Sequence, residues 1–535
     1  MSAIVDELLA GDRRQTGTAD MMLQLGEWAA ASYGKYDRAA VDRIVKAAAD
    51  AAFALAGPLA EAAVKETGFG VAEHKKIKNE ICSRGIYEAY RSEDFCSKRV
   101  IVERKIVEVP RAAGIVFALA PSTNPVCTVF FKVLLALMTR NASIVSPHPM
   151  AKTCSAEAVL AMAKAAEQAG APAGIVQVIA EPNLPLIDHI MKSPRVSVIL
   201  ATGGTPMVRA AYSSGNPAIG VGPGNAPAFV DASADLAAAA KRIIQSKSFD
   251  NSVLCTSESV VVAEERIADK LLQALGRAGA YVAKPEEVDD IRNYLFGLGS
   301  FNIDALGKSA PEIASRIGLK VPSSTKVILT PIDRVGIDEA LSKEKLCPVL
   351  GFVRVPHVQA GISTARALIR MSGAGHSAAI HSATPDNILS YAGAVKALRV
   401  VVNAPCSQGA AGFGTHLAPS FTIGTGFFGR SAVGENIGPK HLVNWTRIAY
   451  SDEASEAFGD FSGLETWNNQ PLLPVGRDAP MTIGRLQEGA ERADESLFAQ
   501  ASGSLAGGAV ADEIALMREE IRRIVLEELR SAFRK

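Results

Sequence analysis

Short β-rich runs alternate with helical stretches through the middle of the chain, and no other feature constrains the fold as much. The runs "ASIVSP", "VQVIA", "VSVILATGG", "APAFVD" and "SESVVVA" are interleaved with "CSAEAVLAMAKAAEQAG" and "LAAAAKRIIQSK". That order predicts parallel α/β units. With 535 residues, 48% of them hydrophobic and 21% charged, the chain can bury the core such units need and should divide into two or three domains.

The flanking segments read differently. From Tyr36 to about Thr67 apolar residues fall at helical spacing around a Gly57-Pro58 break, which predicts two helices. In "KRVIVERKIVEVP" valine and isoleucine alternate with charged residues, as in an exposed strand pair able to reach another subunit. The most apolar stretch, "GIVFALAPSTNPVCTVFFKVLLALM", is interrupted by Ser122, Thr123, Asn124 and Lys132, so it reads as a strand, a polar turn and a buried helix, not a membrane span. After about Ser451 the sequence becomes polar and turn-rich, ends in "ASGSLAGGA" like a flexible linker, and gives way to "VADEIALMREEIRRIVLEELRSAFRK". There Val510, Ile514, Met517, Ile521, Ile524 and Val525 share one helical stripe, which Glu528 interrupts. Six acidic and six basic residues make this helix neutral, which favours a protein groove over an anionic membrane.

Charge and cysteine usage narrow the partners. Fifty-six basic residues balance fifty-six acidic ones, so neither nucleic acid nor a membrane surface is expected as a partner. The seven cysteines form no CxxC pair and no secretory pattern opens the chain, which predicts free thiols in a reducing cytoplasm and no metal site.

One cysteine stands apart. In "KSFDNSVLCTSES" Cys255 sits among Asp250, Asn251, Ser252, Thr256, Ser257 and Glu258, a polar turn ahead of the apolar run "VVVA". A thiol there can be partly exposed and its thiolate met by backbone N–H groups, although free cysteines more often act as small buried hydrophobes. Cys127 and Cys347 remain possible site neighbours. In "APSTNPVCTVFFK" Asn124 and Pro125 open a helix after a buried strand. An amide at that point can donate to an oxygen that turns negative when a nucleophile adds to a carbonyl, or can simply cap the helix.

The ordered set "APSTNP", "RNASIVSPHP", "ATGGTPMV", "GVGPGNAPAFV", "FDNSVLCTSES" and "KLCPVL" resembles the aldehyde dehydrogenase superfamily, and within it the CoA-acylating enzymes that make acetyl-CoA or propionyl-CoA, across roughly residues 20 to 450. The resemblance implies a Rossmann-like NAD-binding domain, an α/β catalytic domain and a β oligomerisation arm. Residues 20–98 and 113–223 would form the NAD/CoA-binding domain, 224–436 the catalytic domain, and 99–112 with 437–452 the arm. Residues 1–19 would be an N-terminal segment, 453–509 a linker-like tail and 510–535 an amphipathic helix. By the same resemblance Cys255 is the nucleophile, and Asn124 with the cysteine's own N–H holds the oxyanion. Hydrolytic members carry a water-activating glutamate where this chain has Val221, so the acyl-enzyme is expected to await coenzyme A; Glu258 is the alternative base.

For the nucleotide, the resemblance implies contacts from Ser146, Pro147 and His148, from Thr202, Gly203 and Gly204, from the glycine-rich Gly222 and Gly224, and from Glu344 toward the nicotinamide ribose. His148 stands where family members carry lysine and reads equally as a loop histidine, and Glu344 reads equally as an exposed helix-end residue. His376 is either a proton acceptor near the CoA thiol or a satisfied core histidine, and Thr425 and Gly426 match stretches near the active site. The final helix is similar to the encapsulation peptides that bind shell or cargo proteins of bacterial microcompartments, with a coiled-coil contact as the plain reading. The expected function is therefore NAD-dependent oxidation of propionaldehyde or acetaldehyde to its acyl-CoA, in a homodimer or homotetramer inside a cytoplasmic microcompartment. The alternatives are an acylating enzyme for sulfoacetaldehyde or a semialdehyde, which would need a basic residue in the pocket, and a non-catalytic scaffold.

Overall fold

The computed structural model describes the backbone of residues 2–465 and the side chains from residue 16 onward. The expected helix at 510–535 and most of the linker-like tail lie outside these residues. The strands, in chain order, are β1 (Arg99–Ile101), β2 (Ile106–Ala112), β3 (Ile115–Leu119), β4 (Ala142–Ser146), β5 (Val176–Val178), β6 (Val196–Thr202), β7 (Ala218–Val221) and β8 (Ala226–Val230). There follow β9 (Glu258–Glu264), β10 (Ala280–Val282), β11 (Val327–Pro331), β12 (Val349–Val355), β13 (Ser377–His381), β14 (Arg399–Val402) and β15 (Val443–Ala449).

They build three sheets. A parallel sheet of order β5-β4-β3-β6-β7 and a parallel sheet of order β10-β11-β12-β9-β8-β13-β14 carry the two α/β halves, and an antiparallel β1-β2-β15 sheet forms an arm. Strands β3, β4, β8 and β9 are buried along their whole lengths, as parallel strands covered on both faces must be, and β3 and β8 read as unbroken apolar runs. All fourteen residues of the helix Pro125–Met138 are buried, among them Phe130 and Phe131, each contributing about 2 kcal/mol by burial. Its one charged residue, Lys132, donates to Leu119 O (2.7 Å) and Leu200 O (2.8 Å), in the neighbouring strands β3 and β6. Burial pushes the Lys132 ammonium down to about 7.

The two helices expected between Tyr36 and Thr67 are Arg38–Ala54 and Ala56–Thr67, bent by 58° at Leu55, with Gly57-Pro58 in the first turn of the second helix. This bent pair has the length and composition of a broken span, yet its apolar face lies in the core; no single described helix is long and apolar enough to cross a membrane.

Two boundaries differ from expectation. A helix runs without a break over Ser2–Tyr33, so no segment ends at residue 19; Ala19 and Leu23, one turn apart, are both buried in the core. Nor do residues 453–465 behave as linker. Lys105 Nζ donates to Glu453 O (2.5 Å) and Glu456 O (2.8 Å), and Tyr450, Phe458 and Phe461 cluster edge to face, which folds this stretch back onto the arm.

Candidate active site

The five-stranded sheet reverses its strand order at β3, from which β4 and β5 run to one side and β6 and β7 to the other. Ligands of open α/β sheets sit beyond the carboxyl ends of the strands at such a point. A cavity of about 720 Å³ lies there, lined by the segments that follow β3 (Ala120–Asn124), β4 (Ser146–Pro149), β6 (Thr202–Gly204) and β7 (Gly222, Pro223), together with Cys255 and Glu344. The structure thus brings Asn124, Ser146, Pro147, His148, Thr202, Gly203, Gly204, Gly222, Cys255 and Glu344 to one wall or another of a single cavity. Gly224 lies behind it, with its N–H donating to Glu344 Oε1 at 2.9 Å.

These groups fit a nucleotide. Ser146 Oγ and Thr202 Oγ1, at the ends of β4 and β6, are buried without a hydrogen-bond partner, and a buried hydroxyl left unspent is costly unless something meets it. A side chain added at Gly222 would meet nothing within 4 Å, so the cavity is open there. His148 caps a short turn through Nδ1, which accepts from Met150 N–H (3.2 Å), and burial lowers its imidazole.

Cys255 is held by an unusual approach. The helix Leu236–Ser248 ends in a turn, Phe249–Ser252, where Asp250, Asn251 and Ser252 have φ of 49°, 50° and 65°. Three successive non-glycine residues in the left-handed region are strained, and such strain gathers at functional sites. Of the seven cysteines only Cys255 is not buried. Burial of its sulfur still pushes the thiol up to about 12, with the Glu344 carboxylate adding to the rise, while its own N–H and the Arg399 guanidinium pull the other way. At neutral pH the resting group is the thiol. Glu344 is itself pushed up to about 7 by burial, and is neither exposed nor at a helix end.

Asn124 occupies the N-cap position of its helix but does not cap it. Its Nδ2 donates to Val253 O (3.1 Å) and Thr123 Oγ1 (3.2 Å), and its Oδ1 accepts from Lys78. Both amide hydrogens are engaged, so an oxyanion has to displace one acceptor, and the Thr123 hydroxyl, which can rotate, is the one able to yield.

Other candidates fall outside the cavity. Val221 packs with Ala411 and Ile423 in an apolar cluster. Glu258 is fully buried, accepts from Cys406 N–H (3.1 Å) and is pushed up to about 7 by burial. Cys127 donates to Asn124 O (3.5 Å) from within the helix, and Cys347 belongs to the core under β12. His376 is buried with Nδ1 on Ser377 Oγ (3.0 Å) and Nε2 without a partner, so it is a core histidine, though an unsatisfied one; burial, then Arg399, lowers it to about 3. Thr425 is buried, its carbonyl against Gly375, where an added side chain would meet it at 1.8 Å.

The sequence reading missed the supports. Arg399 donates to His376 O (3.0 Å) and Gly434 O (3.1 Å), and buried Lys247 donates to Lys345 O (3.0 Å), fixing the segment that presents Glu344. A second cavity, of about 1010 Å³, touches the same centre through Lys78, Phe249 and Leu254, and also takes in Phe413, Phe421, Lys241, Arg277 and Lys326. Among the described residues those last three cations form no ion pair and no carboxylate lines this cavity.

The aldehyde dehydrogenase family model matches residues 13–287. The chain is 39% identical over 439 residues to an aldehyde-alcohol dehydrogenase of Clostridium acetobutylicum, covering 80% of this chain and 50% of that one. It is 38% identical over 428 residues to a succinate-semialdehyde dehydrogenase (acetylating) of Clostridium kluyveri, covering 79% and 93%. The chain thus spans about half the length of the aldehyde-alcohol dehydrogenases it matches and nearly all of the acetylating relative. Among solved structures, an acetylating aldehyde dehydrogenase of Geobacillus thermoglucosidasius superposes with a TM-score of 0.81 at 37% identity, covering 83% of this chain and 99% of the other. A propionaldehyde dehydrogenase of the Clostridium phytofermentans fucose-utilisation microcompartment gives 0.74 at 28% identity, covering 82% and 98%.

Proposed function

The chain belongs to the aldehyde dehydrogenase family, and we propose that it oxidises a short aliphatic aldehyde, propionaldehyde or acetaldehyde, to its acyl-CoA with NAD, carrying the acyl group on Cys255. The observation that carries this reading is a part-exposed cysteine in one cavity with Asn124, while the position of the hydrolytic base, Val221, is apolar and turned into a packed cluster.

The chemistry follows from these groups. Cys255 adds to the aldehyde carbonyl as thiolate, the small deprotonated fraction of a thiol pushed up to about 12, its proton passing to water in the open cavity. The alkoxide of the thiohemiacetal is met by the Cys255 N–H and by Asn124 Nδ2, which exchanges its bond to Thr123 Oγ1 for one to the oxyanion. Ser146, His148, Thr202 and Gly203 would hold the nucleotide, whose nicotinamide, when bound, supplies the hydride acceptor. Collapse of the alkoxide leaves a thioester on Sγ. With no carboxylate at residue 221 to deprotonate water, the thioester persists until the thiol of coenzyme A attacks the same carbonyl and Cys255 departs as thiolate. Mass spectrometry of the protein after incubation with propionaldehyde and NAD, without CoA, tests this: one propionyl group per chain on Cys255 is expected, and none in Cys255→Ala. Absence of an adduct in the parent enzyme would remove the covalent step.

A second reading is favoured by Lys241, Arg277 and Lys326 around the second cavity, which suit an aldehyde with a carboxylate or sulfonate tail. It predicts that replacing all three by glutamine raises KM for succinate semialdehyde about tenfold and leaves that for propionaldehyde unchanged. We further propose a homodimer or homotetramer joined through the exposed β1-β2-β15 arm, where Val102 is 65% exposed and Arg99 stacks 3.9 Å over Trp445. Residues 510–535 are proposed to dock on a microcompartment shell or cargo protein; their deletion should abolish co-sedimentation with shells and spare activity.

A further inference from the structure

The helix Ala72–Glu80 reads as a polar surface helix, yet it directs two lysines inward: the side chains of Lys75 and Lys78 are 3% and 2% exposed. Both pair with Asp250, itself fully buried. Lys75 Nζ lies 3.1 Å from Asp250 Oδ2 and donates to Thr123 O at 2.9 Å, while Asp250 Oδ1 accepts from Val71 N–H at 2.6 Å. Lys78 Nζ bridges Asp250 Oδ2 and Asn124 Oδ1. Two buried ammoniums face one carboxylate, and the further acceptors they use, Thr123 O and Asn124 Oδ1, belong to the segment that carries the oxyanion donor. Such a cluster is hard to explain by stability, since apolar replacement of buried charge is often neutral or favourable.

The chemistry of the donor settles which way the amide faces. An asparagine amide is nearly symmetric in shape, and only its hydrogen bonds choose between its two orientations. Lysine has three donors and no acceptor, so the atom that meets Lys78 must be Oδ1, and Nδ2 is left to Val253 O, two residues before Cys255, and to Thr123 Oγ1. Asp250, in turn, ties Lys78 to the left-handed turn that leads to the cysteine.

We infer that Lys78 is a positioning residue for the oxyanion donor, locking Asn124 with Nδ2 toward Cys255, and that Asp250 couples this lock to the cysteine turn. The inference rests on the reading of Asn124 as oxyanion donor. Its charge, held beside the amide oxygen, also strengthens the N–H of Nδ2 as a donor.

A double-mutant cycle on the full chain tests it, reading the pre-steady-state rate of NADH formation with saturating NAD and propionaldehyde, before CoA is added. Lys78→Met should slow this acylation about thirtyfold while KM for the aldehyde changes less than about twofold, because the effect falls on the oxyanion and not on ground-state binding. In the Asn124→Ala background the same substitution should cost less than about threefold, since the group it acts through is gone. Lys78→Gln, which keeps a donor but admits the flipped amide, should give an intermediate loss and serves as the test if Lys78→Met does not accumulate as folded protein. Parent-like acylation in either Lys78 variant, or an equal loss with and without Asn124, overturns the positioning role. If Asn124→Ala itself leaves acylation unchanged, the oxyanion reading fails and takes the inference with it.

Discussion

Substituting alanine for Gly224 should disable the nucleophile without unfolding the protein. The glycine lies in the short link from β7 to β8, and a Cβ built there would stand 2.0 Å from the carbonyl oxygen of Cys255, 3.1 Å from its carbonyl carbon and 3.4 Å from Glu344 Oε1. Carbon and oxygen in contact want about 3.4 Å, so roughly 1 Å or more of movement is required. The atom met first is backbone and cannot rotate aside. Gly224 N–H also anchors Glu344, so any retreat drags the carboxylate with it. Displacing a reacting group by about 1 Å costs on the order of a hundredfold, equivalent to about 2.7 kcal/mol on the barrier. The strain of overpacking, about 1–3 kcal/mol, is of a size that a folded domain tolerates. The assay is the burst of NADH with aldehyde and NAD, with thermal unfolding followed in parallel. Gly393→Ala, in the helix Pro385–Ala394 away from the cavity, is the control, since its Cβ meets nothing within 4 Å, and it should keep the parent burst rate at saturating NAD. A Gly224→Ala enzyme whose burst rate stays within about twofold of the parent would refute the steric argument.

Asn124→Ala should lower turnover about a hundredfold by removing one oxyanion donor, measured as kcat with aldehyde, NAD and CoA all saturating. Iodoacetamide should label Cys255 ahead of the six buried cysteines, with a rate that climbs about tenfold per pH unit from 7 to 9 and does not level off, because the thiol is pushed up to about 12. Glu344→Gln should speed that labelling at any one pH, since a neutral amide removes the carboxylate's share of the rise; a slower reaction would contradict the assignment. Buried His381, lowered to about 4 mainly by burial, binds its proton more weakly folded than unfolded. Stability should therefore fall as pH drops from about 6.5 toward 4, by up to about 1.4 kcal/mol per unit from this ring. His381→Leu should flatten the urea midpoint over that window.

What could be read from the sequence and what could not divides along local against tertiary causes. Asn124, Ser146 and Thr202 follow or end strands whose apolar runs end in polar residues, and that local pattern marks the carboxyl edge of a sheet where a cavity forms. Cys255 was legible for the same reason, in a polar turn ahead of β9. Lys75, Lys78 and Asp250 were not, because their burial depends on packing between segments about 175 residues apart, and "AEHKKIKNE" carries no apolar stripe to announce it. Nor does the composition of "FDNS" reveal three consecutive left-handed residues. Val221 could be placed as the site of a missing base, but its apolar partners Ala411 and Ile423 come from a distant loop. The fold-back of residues 453–465 escaped notice because it depends on one lysine, Lys105, and a small aromatic cluster across the arm.

The central claim is that an acyl thioester on Cys255 is released by coenzyme A and not by water. Absorbance at 340 nm with propionaldehyde and NAD, compared with and without CoA and coupled to a thioester assay of the product, tests it most directly. The account predicts a single stoichiometric burst without CoA and sustained NADH formation with propionyl-CoA accumulating once CoA is present. Continuous NADH formation without CoA, with free propionate as product, would contradict it and require a water-activating base elsewhere in the cavity.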